Sequence, residues 1–302
     1  MSDIGRPNLF FLSEIRLRPL IGGLLSFAPG VYGLWDRLRP MGDPRPPEYG
    51  RNVWRARLED ARNAGEDISP QTVMELGPGR SLSAPIAALL DGASRAIGMD
   101  AVAYASAAEN LRVFDALVKE ASVDEGRAAE LRRAVAAAGD PDRETVLQYR
   151  APWSDESTVP SETVDFIFSV NVLEHVTDPD AVYRCCFRWL RPGGLMAHKI
   201  DHSSHGITRH WNGHYWIRDW LWRLFLGGRP YAINRWTPDD HRAAAKAAGF
   251  EVVSVECGMA NDDGSALYRQ EPQGRFRYVS RQSLFAKTSI FVMRKPKAQM
   301  RG

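Results

Sequence analysis

A chain of 302 residues can hold two average domains or one enlarged α/β domain, and 44% hydrophobic with 25% charged residues is ordinary for a globular protein with a real core. Lys plus Arg at 39 against Asp plus Glu at 37 leaves a formal charge of +2, which speaks against a nucleic-acid binder held by bulk charge. Cys185, Cys186 and Cys257 are too few and too unevenly spaced for a disulfide framework or a zinc ribbon, so a reducing, cytoplasmic compartment is expected.

At the N-terminus Asp3 and Glu14 interrupt any signal-peptide pattern. Residues 19–35 run 17 positions without a charge, between Arg16 and Arg18 on one side and Arg37 and Arg39 on the other. A spanning helix needs about 20 apolar residues, and Gly22, Gly23, Pro29, Gly30 and Gly33 would break this one. The expectation is a segment packed on its own domain, with a peripheral membrane contact through residues 19–35 as the alternative. Residues 41–47 read as a turn-rich linker. From Glu48, apolar Val53, Trp54, Leu58 and Ala61 fall at helical spacing. Residues 1–65 are taken as an N-terminal extension and 66–302 as the main domain.

Strands and helices then alternate. Residues 72–76 are a short apolar strand, 83–91 a helix, 96–99 a second strand, and 102–135 mostly helix with a break at 122–126. Residues 145–149 and 164–169 are strands three and four. Asp178 caps a helix with Pro179 at its first position, running over 180–190 until Pro192-Gly193-Gly194 stops it. Residues 195–200 are strand five. Thr237 caps the next helix, with Asp239 and Asp240 in its first turn and Gly249 after it. Residues 250–255 and 285–293 complete seven strands. The alternation implies an open, doubly wound, mostly parallel α/β sheet.

The first strand runs into Glu75-Leu76-Gly77-Pro78-Gly79-Arg80-Ser81 and then a helix. Glycines there let backbone approach a ligand, and the helix start offers free N–H groups. Asp100 ends the second strand, 21 residues after Gly79, where such a fold places an acid for ribose hydroxyls. A dinucleotide fingerprint wants Gly or Ala at the third small position; here Leu82 stands there, which weakens a nicotinamide reading.

The same string resembles motif I of the class I S-adenosylmethionine-dependent methyltransferases, in the small-molecule, type 11-like group. Met99-Asp100, residues 164–176 (VDFIFSVNVLEHV) and residues 190–194 (LRPGG) are similar to further motifs in the same order. The resemblance covers about residues 70–256 and the last strand. It implies S-adenosyl-L-methionine as cofactor and a Rossmann-like seven-stranded sheet with its last strand antiparallel. It also implies Glu75, Gly77 and Gly79 on the methionine and ribose side, Asp100 on the ribose, and Asn171 and Val172 beside the methionine, with Glu174 and His175 nearby. Many such proteins carry an acid just after strand three; this chain reads Tyr149-Arg150-Ala151-Pro152-Trp153. Trp153 is therefore a candidate for stacking on adenine.

Five of seven histidines fall between 198 and 214, and eight aromatics between 211 and 236. Apart from His198, which lies in strand five, both groups follow that strand, on the side where open α/β sheets bind ligands. Residues 202–236 are read as an insert acting as a lid on a small-molecule acceptor. Trp211, His214 and Trp216 are candidate acceptor contacts; His202 and His205, with Asp201, are candidates for the base that takes the acceptor's proton. A divalent ion at Asn171, Asp201 and His202 is a competing reading of the same strand ends, and no metal ligand is expected. The strings at 200–206, 211–214 and 234–235 look similar to a bacterial branch of the superfamily. The expected activity is methyl transfer to a small or medium acceptor, to oxygen rather than nitrogen. The alternative is a non-catalytic membrane-surface or partner-binding protein on the same fold.

Overall fold

In the computed structural model, residues 9–28, 30, 45–153, 156–229, 232–260 and 270–297 are described. Most of the proposed linker, the second half of the 19–35 segment, Asp155 and Tyr231 lie outside them.

The described helices are α1 (Leu17–Leu25), α2 (Pro47–Asn63), α3 (Ser83–Leu90), α4 (Ala107–Leu117), α5 (Glu125–Ala137), α6 (Pro179–Trp189), α7 (Asp219–Leu226), α8 (Pro238–Ala247) and α9 (Arg281–Phe285). The strands are β1 (Thr72–Leu76), β2 (Arg95–Met99), β3 (Leu147–Arg150), β4 (Val164–Val170), β5 (Leu190–Asp201), β6 (Glu251–Met259) and β7 (Ala286–Arg294). They form one sheet in the order β3-β2-β1-β4-β5-β7-β6. β1 to β5 pair in parallel, and β7 runs antiparallel to both β5 and β6. The order reverses between β1 and β4, so a crevice opens beyond the carboxyl ends of those strands.

Local signals account for most elements. Asp178 accepts from the Ala181 N–H and Pro179 opens α6. Thr237 and Asp240 form a reciprocal capping box at α8, worth about 1 kcal/mol in such settings. The end of α6 differs from expectation. It stops at Trp189, and Leu190 is already extended and paired with Val164. Pro192-Gly193-Gly194 lies inside β5, where backbone hydrogen bonds link Gly193 and Gly194 to Lys295.

One face of the sheet is closed by α2, α3, α4 and α5. Trp54 of α2 packs edge-on to Phe166 at 6.1 Å and tilted against Phe168 at 5.7 Å, and its indole donates to Asp91. Residues 47–63 thus form part of the sheet's cover rather than an extension beside it. On the other face α6 and α8 bury Trp189, Tyr183 and Phe250 against Met74, Ile167 and Met196.

The 202–236 stretch builds two smaller cores away from the sheet. Ile217, Leu221, Trp222, Phe225 and Ile233 pack with Ile15 and Leu20 from the N-terminus. Tyr215 and Trp216 pack with Phe276, Leu284 and Phe285. Buried Glu14 pins the arrangement: its carboxylate accepts from the His210 backbone at 3.0 Å and pairs with the His210 ring at 2.7 Å. The first half of the apolar 19–35 segment is α1, which packs on α7 by its Leu20 and Gly23 side. A Cβ on Gly23 would collide with the backbone of Leu224 and Phe225. No helix among the described residues is long and apolar enough to cross a membrane.

Candidate functional site

A cleft of about 790 Å³ opens at the carboxyl ends of β1, β2 and β4. Its floor begins at the glycine turn. Gly77 has φ +67°, and its N–H donates to the Met99 carbonyl at 2.7 Å. A Cβ on Gly77 would stand 2.5 Å from a Val172 methyl, so only glycine lets this turn press against the loop after β4. Gly79, at φ +69°, donates its N–H to Asp100 Oδ2 at 2.9 Å, and Asp100 Oδ1 accepts from Ala101 at 2.7 Å. These bonds fix the acid at the mouth of β2. Burial raises the Asp100 pKa, while the backbone N–H groups pull it back.

Leu82 explains the broken dinucleotide pattern. It is fully buried, and a Cβ on Gly98 would come within 2.5 Å of its side chain. The close helix–strand approach that a third glycine gives elsewhere is provided here by a glycine on the strand. Glu75 lies just behind the cleft, 8% exposed. Burial, reinforced by the Asp100 charge, pushes its pKa up to about 8, and Oε2 has no hydrogen-bond partner. A buried carboxylate with an empty acceptor site suits an ammonium group.

Trp153 lines the cleft and leans edge-on against Trp189 at 5.4 Å. Its backbone N–H bonds the Asp100 carbonyl at 3.1 Å. Glu156, which sequence reasoning passed over, also lines the wall and pairs with Arg188 at 3.2 Å. The opposite wall is Asn171, Val172, His175 and the first turns of α6, including Ala181 and Cys185. Asn171 sits at φ +56°, in the left-handed region that Asn tolerates best among non-glycine residues.

The cleft therefore gathers Gly77, Gly79, Asp100, Trp153, Asn171 and Val172, with Glu75 beneath. It does not gather the insert: among the described residues none from 202 to 236 lines it. His202 is 3% exposed, with Nε2 bonded to Ser289 Oγ at 2.7 Å and Nδ1 to the Trp236 carbonyl at 3.1 Å. Burial holds it neutral, its pKa lowered to about 4, and both ring nitrogens are engaged away from the cleft. His214 is buried against Tyr215, ring centroids 4.0 Å apart. Trp216 is buried, its indole donating to the Gln270 carbonyl at 3.2 Å. Trp211 sits in the same insert, its indole nitrogen buried and without a partner. The expected lid is a packed subdomain, because its aromatics found partners in residues 12–28 and 274–285.

His205 is the exception. Its ring stands 5.1 Å from that of His175, which faces the cleft, and its Nε2 lies 3.3 Å from Asp201 Oδ2. That hydrogen bond raises the His205 pKa against its burial. Burial would raise Asp201, but the bonds from His205 and Ser203 more than reverse this and hold it below the carboxylate range. Glu174, 3% exposed, completes the corner; burial drives its pKa up to about 7, with the nearby Asp201 charge adding to the rise. Asn234 locks the turn that carries Glu174 and His175. Its side-chain amide donates to the Leu173 and Val176 carbonyls at 2.8 and 2.9 Å, and its backbone N–H to the Glu174 carbonyl. Asn234 was legible only as part of a resemblance; its role needed the fold.

A doubly wound sheet with a glycine turn, a ribose-side acid and a cleft at the β1/β4 reversal defines a nucleoside-cofactor transferase of the methyltransferase type. Residues 48–255 match the methyltransferase-domain family, and the chain belongs to it. Its cofactor is S-adenosylmethionine. A ubiquinone biosynthesis O-methyltransferase of Cereibacter sphaeroides (strain ATCC 17025) is 28% identical over 112 residues, 35% of this chain and 42% of that protein. One from Parvibaculum lavamentivorans is 42% identical over 50 residues, 17% of this chain and 20% of that one. The chain thus spans about two fifths or less of the length of these curated relatives. Among solved structures, a Mesorhizobium loti S-adenosylmethionine-dependent methyltransferase is 18% identical at TM-score 0.39, covering 79% of this chain and 97% of that one. Haemonchus contortus phosphoethanolamine N-methyltransferase 2 is 15% identical at TM-score 0.43, covering 81% and 53%.

Proposed function

We propose that this methyltransferase alkylates a hydroxyl of a small or medium-sized acceptor that enters the cleft beside His175. The observation that carries the reading is the junction of two chemistries in one place: the Gly79–Asp100 cradle lining the cleft, and His175 lining it too, with His205 and Asp201 behind that ring. Asp100 would take the ribose hydroxyls, the orphan oxygen of Glu75 the ammonium, Trp153 an adenine face, and Asn171 and Val172 the methionine chain. When bound, S-adenosylmethionine supplies an electrophilic methyl whose C–S bond breaks as the O–C bond forms, leaving a neutral thioether.

The chain's own task is alignment, exclusion of water and removal of one proton. A neutral amine already carries its lone pair, whereas a hydroxyl gains most from a base. His205, oriented by Asp201, would take that proton by way of His175, the member of the corner that lines the cleft. The names of the partial relatives favour oxygen as well, and the near-neutral charge suits a small acceptor rather than nucleic acid. Transfer of labelled methyl to a panel of phenols, alcohols and amines tests this. Ether products are expected; products on nitrogen alone would overturn it.

A second reading concerns location. Leu17, Ile21, Leu24 and Leu25 form an exposed apolar row on α1, next to exposed Arg16 and Arg18. Such a row beside cations suits peripheral contact with an anionic lipid surface by an otherwise cytoplasmic enzyme. Flotation with vesicles of mixed neutral and anionic lipid should carry the full chain and lose it in the Ile21→Glu, Leu24→Glu double variant. Equal flotation of both, or of neither, would rule the contact out.

A further inference from the structure

The cleft carries one charge that the chain itself does not answer. Three acids line it, and each is engaged: Asp100 accepts from the Gly79 and Ala101 N–H groups, Asp178 from the Ala181 N–H, and Glu156 pairs with Arg188. Among the described residues Arg184 is the one lysine or arginine that lines the cleft. It is exposed, and it makes no hydrogen bond or ion pair with any described residue. A guanidinium at the wall of a ligand cleft presents five donors in a planar fork and accepts none, so only an incoming anion can match it.

The place of Arg184 separates it from the cofactor's own carboxylate. The cleft wall follows the chain from His175 through Asp178 and into α6, past Ala181 and Val182, to Arg184 and Cys185. One helical turn beyond, Arg188 pairs with Glu156, whose backbone carbonyl takes the indole N–H of Trp189, the ring against which Trp153 leans. Arg184 thus lies toward the Trp153 end. The amino-acid end of the cofactor falls elsewhere, at Glu75 on β1 and at Asn171 and Val172 after β4.

We infer that Arg184 anchors a carboxylate of the acceptor, so that the substrate is a hydroxy acid laid along α6, its hydroxyl beside His175 and its carboxylate on the guanidinium. The inference rests on the acceptor entering beside His175. From Pro179 to Arg184 the helix rises about 7.5 Å, so a hydrocarbon body must hold the two ends apart. Val176, Ala181 and Val182 line the wall between them with apolar side chains that suit such a body. One guanidinium matches a carboxylate through two parallel hydrogen bonds. A phosphate dianion calls for a second cation, and among the described residues no other lysine or arginine lines the cleft. Arg184 does not touch the reacting atoms. Its contact is made equally in the ground and transition states, so it sets which acceptor binds and acts through KM.

The test is methyl transfer by the full chain to acceptors that differ only at the far end. The probes are para-hydroxycinnamate and hydroxyoctanoate, each against its primary amide, with para-aminocinnamate and its amide as the nitrogen counterparts. The acids should exceed their amides in kcat/KM by about tenfold or more, most of it in KM. In Arg184→Gln acid and amide should become alike within about twofold, and Arg184→Lys should recover part of the preference. Thermal midpoint and S-adenosylhomocysteine affinity, measured calorimetrically on the same variants, should stay near wild type. Equal use of acid and amide by the wild type, a preference that survives in Arg184→Gln, or no product from any of the acids would overturn the anchor. A fall in S-adenosylhomocysteine affinity that matches the loss of acid turnover would overturn it too, by giving the arginine to the cofactor. If the hydroxy amides react as readily as the hydroxy acids, the hydroxyl reading stands and the anchor falls. If only the amino pair reacts, with the acid preferred, the anchor stands and the hydroxyl reading falls.

Discussion

The two regions that sequence marked as functional behave differently in the fold. The glycine turn and Asp100 lie at the ends of adjacent parallel strands, and their backbone bonds leave little choice about where they point. The His- and Trp-rich insert meets β7 through His202, which bonds Lys287 and Ser289, while most of its aromatics bury one another away from the cleft. A motif at a strand end inherits its geometry from the sheet. A cluster in a connection does not, and composition alone cannot separate a binding surface from a small core.

The sharpest way to break this contrast is Trp216→Ala. If the insert is core, the variant loses about 3–5 kcal/mol in urea denaturation and keeps its affinity for both cofactor and acceptor. A variant of full stability with a raised acceptor KM would restore the insert as a binding surface.

Acid sensitivity follows from the same packing. His198 and His202 are buried and neutral, their pKa values lowered by burial to about 3 and about 4; His214 and His241 are lowered for the same reason. The folded values lie below the unfolded value near 6.5, so on acidification the unfolded state takes up protons first. Stability should be fully present above pH 6.5 and fall by up to about 1.4 kcal/mol per pH unit for each group down through about pH 4. A stability flat from pH 7 to 4.5 would show that these rings reach water.

Smaller still is the effect of Asn234→Ala. It should lower kcat about tenfold by loosening the Glu174–His175 turn, with S-adenosylhomocysteine affinity within about twofold. An equal loss in both would mean that the turn serves the cofactor half.

The sheet was legible because each strand is short, apolar and closed by its own turn chemistry. Thr237-Pro238-Asp239-Asp240 announces a helix start by itself. Gly77, Gly79 and Asp100 were legible because their spacing is a property of one strand–turn–helix unit. His202 misled because its position after β5 says nothing about which way its ring turns; Ser289, 87 residues on, decides that. The contact of His175 with His205 joins two separate loops. The roles of Trp54 and α2 depend on Phe166 and Phe168 on a strand more than 100 residues away. Such long-range pairings leave no local pattern to read.

We propose the cleft between the glycine turn and the β4 loop as the cofactor's seat, with Asp100 as its anchor. Calorimetric titration of S-adenosylhomocysteine into the full chain tests it directly. One site per chain is expected, and in Asp100→Ala a loss of about a hundredfold or more, the size expected for charge-assisted hydrogen bonds to two hydroxyls. No binding to the wild type, or unchanged affinity in Asp100→Ala, would contradict it.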